Sequence, residues 1–153
     1  MADPFFQLWF AVRYVHVASV ALLAGGASLL AVACLVPATA GESHPLRTAT
    51  AYEWIFWMLV GLAAVTGVSN LGLKGDGLLG PATSWGRALT TKLGVVFGLL
   101  ALSLVRTDFV IRCAGAAALT DRARAIAGWF YAATVAVLLA ALWIGLGLAH
   151  GRY

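Results

Sequence analysis

The chain carries very little charge. Of its 153 residues, 10% are Asp, Glu, Lys or Arg and 62% are hydrophobic, and the mean hydropathy is +0.92. A soluble domain of this length needs more polar residues to cover its surface. The net charge is +4, but the basic residues are scattered over short connections. Because they form no basic stripe, we exclude a nucleic-acid partner.

Sulfur ligands and hydrolytic motifs are also scarce. The chain has two Cys and two Met, and Cys34, Met58 and Cys113 fall near one predicted membrane surface. A soft copper(I) site from these three is conceivable, although buried, inert cysteine is the commoner case. There is no nucleophile elbow, phosphate loop or metalloprotease helix motif, and the acidic residues, Glu53 among them, are assigned to loops. Any catalysis is therefore expected to be redox chemistry at a bound cofactor.

Four long apolar segments dominate the sequence. Segments 14–41, 54–73 and 125–149 carry no formal charge, and segment 86–105 contains only Arg87 and Lys92. A bilayer core about 30 Å thick needs about 20 helical residues, so each segment is long enough to cross it. We predict an all-α integral membrane protein, with 1–153 as a single membrane domain. Short loops favour an antiparallel four-transmembrane-helix bundle with helices at about 8–36, 53–73, 85–106 and 122–149.

The basic residues predict the orientation of this bundle. One side carries Arg47, Arg106, Arg112, Arg122 and Arg124. The other side carries Arg13, Lys74, Arg87 and Arg152. Basic residues accumulate on the cytoplasmic side of membrane proteins. The side with five basic residues is therefore predicted to be cytoplasmic, and both termini, which lie on the side with four, are predicted to be outside. We expect the location to be a bacterial inner (plasma) membrane.

Polar residues gather at one end of the predicted bundle. They are Arg13 and His16 in the first helix, Asn70 at the end of the second, Lys92 in the third and His150 at the end of the fourth. Trp143 and His150 share one face of the fourth helix by their spacing. Ionisable groups near lipid depth are costly and usually functional, so we predict a polar site between the first, third and fourth helices.

Each of these residues also has an ordinary explanation. A histidine can serve helix packing by donating to a carbonyl, and Lys92 or Arg13 can extend to the lipid headgroups. Asn70 is well suited to a helix terminus. Gly94 and Gly98 form a small-residue pair that predicts close helix contact in the third helix.

Three segments of the chain resemble known membrane proteins. FAVRYVHVASVALLAGG, LVGLAAVTGVSN and LLGPATSWGRALTTKLGVVFGLLAL are similar to the copper-resistance D (CopD) family, over about the first 110 residues. The informative positions are His16, Thr66, Gly67, Gly86, Arg87 and Lys92. A more distant similarity is to the HemJ-type protoporphyrinogen oxidases, four-helix membrane proteins that hold haem b. That resemblance implies that His16 and Lys92 match the family's first-helix His and third-helix Lys.

Three functions from different classes follow from these patterns. In the first, His16 and His150 are axial ligands of haem b. Arg13 pairs with a haem propionate and Asn70 lies beside the cofactor. If the protein is a haem-dependent membrane oxidoreductase, Lys92 is a catalytic residue. In the second, implied by the CopD resemblance, His16 and His150 bind one copper ion. In the third, the chain is a non-catalytic structural subunit.

The expected partners are the lipid bilayer and either a redox partner or a larger membrane complex. Imidazole suits both haem iron and copper. The shortage of thiol and thioether ligands disfavours copper(I) traffic more than it disfavours haem, so we rank haem first.

Overall fold

The computed structural model describes residues 4–36, 45–72, 83–115 and 120–149. These residues form four α-helices: α1 (Pro4–Leu35), α2 (Pro45–Gly72), α3 (Ser84–Ala114) and α4 (Asp121–Ala149). All four are long and apolar enough to cross a membrane, and no strand occurs in the described part of the chain. The predicted all-α, four-helix membrane fold is confirmed.

The first helix begins at Pro4 instead of 8, and two others extend eight residues further than the sequence predicted. The second begins at Pro45 instead of 53, and the third ends at Ala114 instead of 106. Proline is favourable in the first turn of a helix because its missing N–H would be unpaired there. As a consequence, Glu53 and Arg106 lie roughly 12 Å from the ends of their helices at 1.5 Å per residue, well inside them and not in loops.

Neighbouring helices run antiparallel. The early part of α1 meets the late part of α2 at His16 and Ala63, and the late part of α1 meets the early part of α4 at Cys34 and Gly128. Each helix packs mainly on its two neighbours in the order α1, α2, α3, α4, with α4 closing against α1. The contact between α2 and α3 is the smallest of the four.

Glycines permit close contact at some positions and face outward at others. A Cβ at Gly128 would lie 2.7 Å from Leu35 Cγ, and one at Gly26 would collide with the Tyr52 ring. By contrast, a Cβ at Gly94 or Gly98 would meet nothing within 4 Å, and both residues are exposed. The predicted role of Gly94 and Gly98 in packing within this bundle is therefore wrong.

A buried apolar layer divides the bundle into two polar ends. Leu23, Phe56, Leu99 and Leu138 are all at most 5% exposed. One end, here the His16 end, contains the start of α1 and α3 and the close of α2 and α4. The other, here the Glu53 end, contains the opposite termini. Large apolar side chains cover the outside, as a protein surrounded by lipid requires.

Candidate functional site

His16 is the best-oriented polar residue at the His16 end. Its ring nitrogen Nδ1 lies 2.9 Å from the Ala63 carbonyl oxygen of α2 and 3.2 Å from Thr66 Oγ1. A carbonyl can only accept, so Nδ1 carries the proton and donates it. Thr66 donates its own hydroxyl proton to the Leu62 carbonyl at 2.7 Å, which leaves its oxygen free to accept from His16.

This arrangement leaves the other nitrogen of His16 available. With the proton on Nδ1, the neutral ring has a lone pair on Nε2, and Nε2 has no hydrogen-bond partner in the described segments. An imidazole whose Nδ1–H donates to a backbone carbonyl is the usual form of a metal-ligating histidine, because the hydrogen bond fixes both tautomer and ring orientation.

Gly67 of α2 holds the ring from the side. A Cβ at this position would lie 3.2 Å from His16 Cε1 and 3.6 Å from Nδ1. The space left by the missing side chain therefore sets how closely the imidazole can approach α2. Thr66 and Gly67 were quoted as part of the family resemblance, and the structure places both against His16.

Lys92 is the second ionisable group at this end. Its ammonium packs against α4 at Gly145, where an added Cβ would lie 3.1 Å from Nζ. The side chain is half-buried and has no carboxylate partner within the described ranges. Lys92 therefore faces the bundle and not the lipid, as predicted for a residue that serves the site.

Arg13 and Asn70 lie at the same end. The Arg13 guanidinium lies 5.3 Å from the centre of the Trp9 ring, a cation–π contact. Asn70 is half-buried, and its amide oxygen Oδ1 is buried without a hydrogen-bond partner among the residues that the structure describes. A buried polar atom left unpaired is uncommon in proteins and calls for a reason.

The predicted arrangement needs one correction and leaves one residue unplaced. His16 makes its contacts with α2, so the site is not confined to the first, third and fourth helices as predicted; all four helices contribute. His150 lies outside the described residues. Trp143, expected on the same face as His150, is 73% exposed and points away from the bundle.

The Glu53 end contains a buried ion pair that the sequence analysis missed. Arg106 of α3 is 0% exposed and Glu53 of α2 is 2% exposed. Arg106 Nε donates to Glu53 Oε1 at 2.9 Å, and Nη2 donates to Oε2 at 3.0 Å. This is the bidentate geometry that best compensates a buried guanidinium and carboxylate.

Hydroxyl groups complete this network. Tyr131 donates to Glu53 Oε1 at 2.7 Å, and Arg106 Nη1 donates to Thr134 Oγ1 at 2.6 Å. Thr107 also donates to Glu53, and Trp57 Nε1 donates to Thr107 at 3.1 Å. The network joins α2, α3 and α4 and gives nearly every buried polar group a partner.

Glu53 and Arg106 were predicted at the ends of their helices because charge was used to end the helices, whereas both lie well inside. Glu53 precedes the apolar segment 54–73, and Arg106 follows the apolar segment 86–105. Because the two helices are antiparallel, the opposite charges lie at the same depth in the membrane. Matching depth of opposite charges was the signal that could have found the pair, since lipid-depth charges are usually paired.

The proposed sulfur site does not form. Cys34 is 1% exposed and packs inside the bundle against Gly128, whereas Met58 is 75% exposed on the outside of α2. Over the described residues, no group of three or more His, Cys, Asp or Glu side chains could hold a metal ion. A comparison of the chain with known protein families, curated proteins and solved structures finds no match.

Proposed function

We propose that the protein is an integral membrane haem b protein in which His16 supplies an axial nitrogen through Nε2, and that this centre serves electron transfer or a membrane-bound redox reaction. The observation that carries the proposal is the hydrogen bond from His16 Nδ1 to Ala63, which leaves Nε2 as a fixed lone pair. When bound, haem b supplies one-electron redox chemistry.

The polar groups at the His16 end suit a ligand that carries negative charge. Lys92 offers an ammonium without an acceptor in the described segments, and Arg13 offers a guanidinium at the same end. Either can pair with a propionate. The Asn70 amide oxygen is buried and unpaired among the described residues. If the side-chain amide turns by 180°, its NH₂ group takes the place of this oxygen and can donate to the ligand. Gly67 and Gly145 let the His16 ring and the Lys92 ammonium pack closely on α2 and α4.

Copper is the weaker alternative at this end. The Lys92 ammonium, at the same end as the His16 imidazole, repels a free metal cation. Within the described ranges, no Asp, Glu or Cys side chains join His16 to form a group of metal ligands. The third alternative, a structural subunit, leaves the unpaired groups at the His16 end without a role.

We propose His150 as the second axial ligand, on condition that the chain leaves the line of α4 before residue 150, because Trp143 on the same helical face is 73% exposed. A six-coordinate centre with two imidazoles should become five-coordinate when one of them is removed. We therefore expect His150→Ala to convert a six-coordinate haem spectrum to a five-coordinate one. We expect His16→Ala to abolish the Soret band.

We further propose that both termini face the outside of a bacterial inner membrane. Arg106, Arg13 and Lys92 lie more than two turns inside their helices, so none of them counts as a loop charge, whereas the other helical basic residues lie within a turn of a helix end. The remaining basic residues are Arg47, Arg112, Arg122 and Arg124 on one side and Lys74, Arg87 and Arg152 on the other. The first group marks the cytoplasmic side. A cysteine placed near Tyr153 should react with an impermeant maleimide in intact cells, and labelling only after lysis would reverse the orientation.

The test of function is a reduced-minus-oxidised absorption spectrum of the purified protein with metal analysis of the same sample. Haem b predicts a Soret band and about one iron per chain. A colourless protein that contains copper would support the copper alternative. A colourless protein that contains neither metal after expression with haem supplied would favour the structural subunit.

A further inference from the structure

The polar and ring contacts between α2 and α3 lie at the Glu53 end. Every polar or ring contact between these helices in the described segments involves Arg106 or Thr107 on α3 and the early residues Glu53, Phe56 and Trp57 on α2. This is also the smallest contact between neighbouring helices of the bundle. Within the described segments, polar and ring contacts thus join the two helices at one end only.

The face of α2 that meets α3 becomes exposed toward the His16 end. Glu53 and Trp57 contact α3, and residues four, seven or eleven positions along a helix share a face. Along that face Glu53 is buried, Trp57 and Val60 are half-buried, Ala64 is exposed and Val68 is 73% exposed. Burial therefore ends between Val60 and Ala64.

The facing side of α3 is exposed at the same level and is buried again at Leu89, five turns from Thr107 on the same face. Starting from Thr107 and moving toward the start of α3, Leu100 and Val96 are half-buried and Leu93 is 50% exposed. Because the helices are antiparallel, Leu93 is level with Thr66 and Gly67, the residues against His16. Lys92, the next residue along α3, faces the bundle interior.

From this we propose that the His16 site takes its ligand laterally from the lipid phase, through the seam between α2 and α3 bounded by Ala64 and Leu93. This inference rests on the proposed function. It adds the ligand's class and source: a flat, lipid-soluble tetrapyrrole with a carboxylate edge, whose apolar body partitions into the bilayer and whose anionic edge meets Lys92. An aqueous ion has no need of an opening that faces lipid.

The test measures the rate of haem uptake from membranes. The haem-free protein in phosphatidylcholine vesicles is mixed with phosphatidylcholine vesicles that contain ferric haem b, and growth of the Soret band is followed. Ala64→Trp fills one side of the seam, and Leu93→Ala enlarges it from the other. Ala21→Trp is the matched control, because Ala21 is exposed on α1, which packs on α2 and α4 and not mainly on α3.

We expect Ala64→Trp to slow uptake about tenfold while final occupancy is unchanged, as for a step limited by access to the site. Leu93→Ala should accelerate uptake, and Ala21→Trp should match the wild type. If Ala64→Trp misfolds and does not reach full haem occupancy, the uptake rate of Leu93→Ala tests the proposal. Haem uptake by Leu93→Ala that is no faster than in the wild type would overturn it.

The failure of this inference differs from failure of the proposed function. Equal uptake rates in the wild type, Ala64→Trp and Leu93→Ala, with normal Soret bands, would remove the lateral route and leave the haem site intact. A wild-type protein that acquires no Soret band at all would remove both.

Discussion

The two polar ends of the bundle solve the same physical problem in different ways. At the Glu53 end, carboxylate and guanidinium meet at 2.9 Å and 3.0 Å and hydroxyl groups occupy most remaining positions. At the His16 end, only one nitrogen of the His16 ring has a hydrogen-bond partner among the described residues. Among the same residues, the Lys92 ammonium has no carboxylate partner and the Asn70 amide oxygen has no hydrogen-bond donor. Buried polar groups that satisfy one another hold a fold together, whereas groups left unsatisfied indicate a ligand.

The contrast is not absolute. Ser103 is 0% exposed near Arg106, and its hydroxyl has no partner among the described residues. An unpaired hydroxyl costs less than an unpaired charge, however, and the two buried charges at the Glu53 end, Glu53 and Arg106, compensate each other. The apolar layer of Leu23, Phe56, Leu99 and Leu138 separates the ends, so each can be altered independently.

The largest expected effect comes from breaking the buried ion pair. Glu53→Gln removes the negative charge and leaves the Arg106 guanidinium buried and uncompensated, which should lower the free energy of unfolding by about 3–5 kcal/mol. Unfolding by denaturing detergent in mixed micelles measures this change. The control is Asp108→Asn, because Asp108 and Arg112 form an exposed pair with side chains 60% and 78% accessible, worth about 0.5 kcal/mol.

Replacing both partners sharpens this result. Glu53→Met with Arg106→Met removes both charges and keeps apolar volume, so it should be much less destabilising than either single change. A Glu53→Gln protein as stable as the Asp108→Asn protein would show that the network does not hold the helices together.

The fold was predictable from sequence because lipid imposes simple requirements. Four uncharged apolar segments of membrane length leave an antiparallel helical bundle as the economical solution. The helix bounds were less accurate at Pro45 and Ala114, because charges at Glu53 and Arg106 looked like helix ends. A charge can remain inside a membrane helix when a partner on another helix compensates it, and such pairing depends on tertiary structure.

The site was predictable only in part. His16 and Lys92 were recognisable as ionisable residues at lipid depth, and the structure brings both to the same end of the bundle. The partners of His16 were placed on the wrong helices, because spacing within one helix gives the angle of a side chain but not the neighbour that it faces. The Ala63 carbonyl, which fixes the imidazole, has no sequence signature at all.

Lys92 should affect ligand binding and not the fold. Lys92→Met keeps most of the apolar stem and removes a half-buried ammonium, so haem affinity should fall about tenfold through the loss of one charge-assisted contact. Lys92→Arg should have a smaller effect, because guanidinium keeps the charge with a different geometry. Haem titration measures affinity, and helicity measured by circular dichroism should stay at the wild-type level. Normal affinity in both variants would leave Lys92 without a role in ligand binding.

A smaller effect is expected at Gly67. In Gly67→Ala the added methyl would lie 3.2 Å from His16 Cε1, so the ring must shift by a few tenths of an ångström. We expect an altered Soret position or midpoint potential with nearly full occupancy. Gly94→Ala is the matched control, because its methyl would meet no atom within 4 Å. Identical spectra for the two variants would mean that Gly67 does not position the ligand.

The most direct test of the central claim is the absorption spectrum of His16→Ala, recorded without and with free imidazole in the buffer. If His16 Nε2 ligates haem iron, the substitution should abolish or alter the Soret band, and added imidazole should restore it by occupying the vacated position. The Glu53 network lies beyond the apolar layer, so the stability of the haem-free protein should be almost unchanged. An unaltered Soret band in His16→Ala, insensitive to imidazole, would contradict the assignment of the His16 end as the binding site.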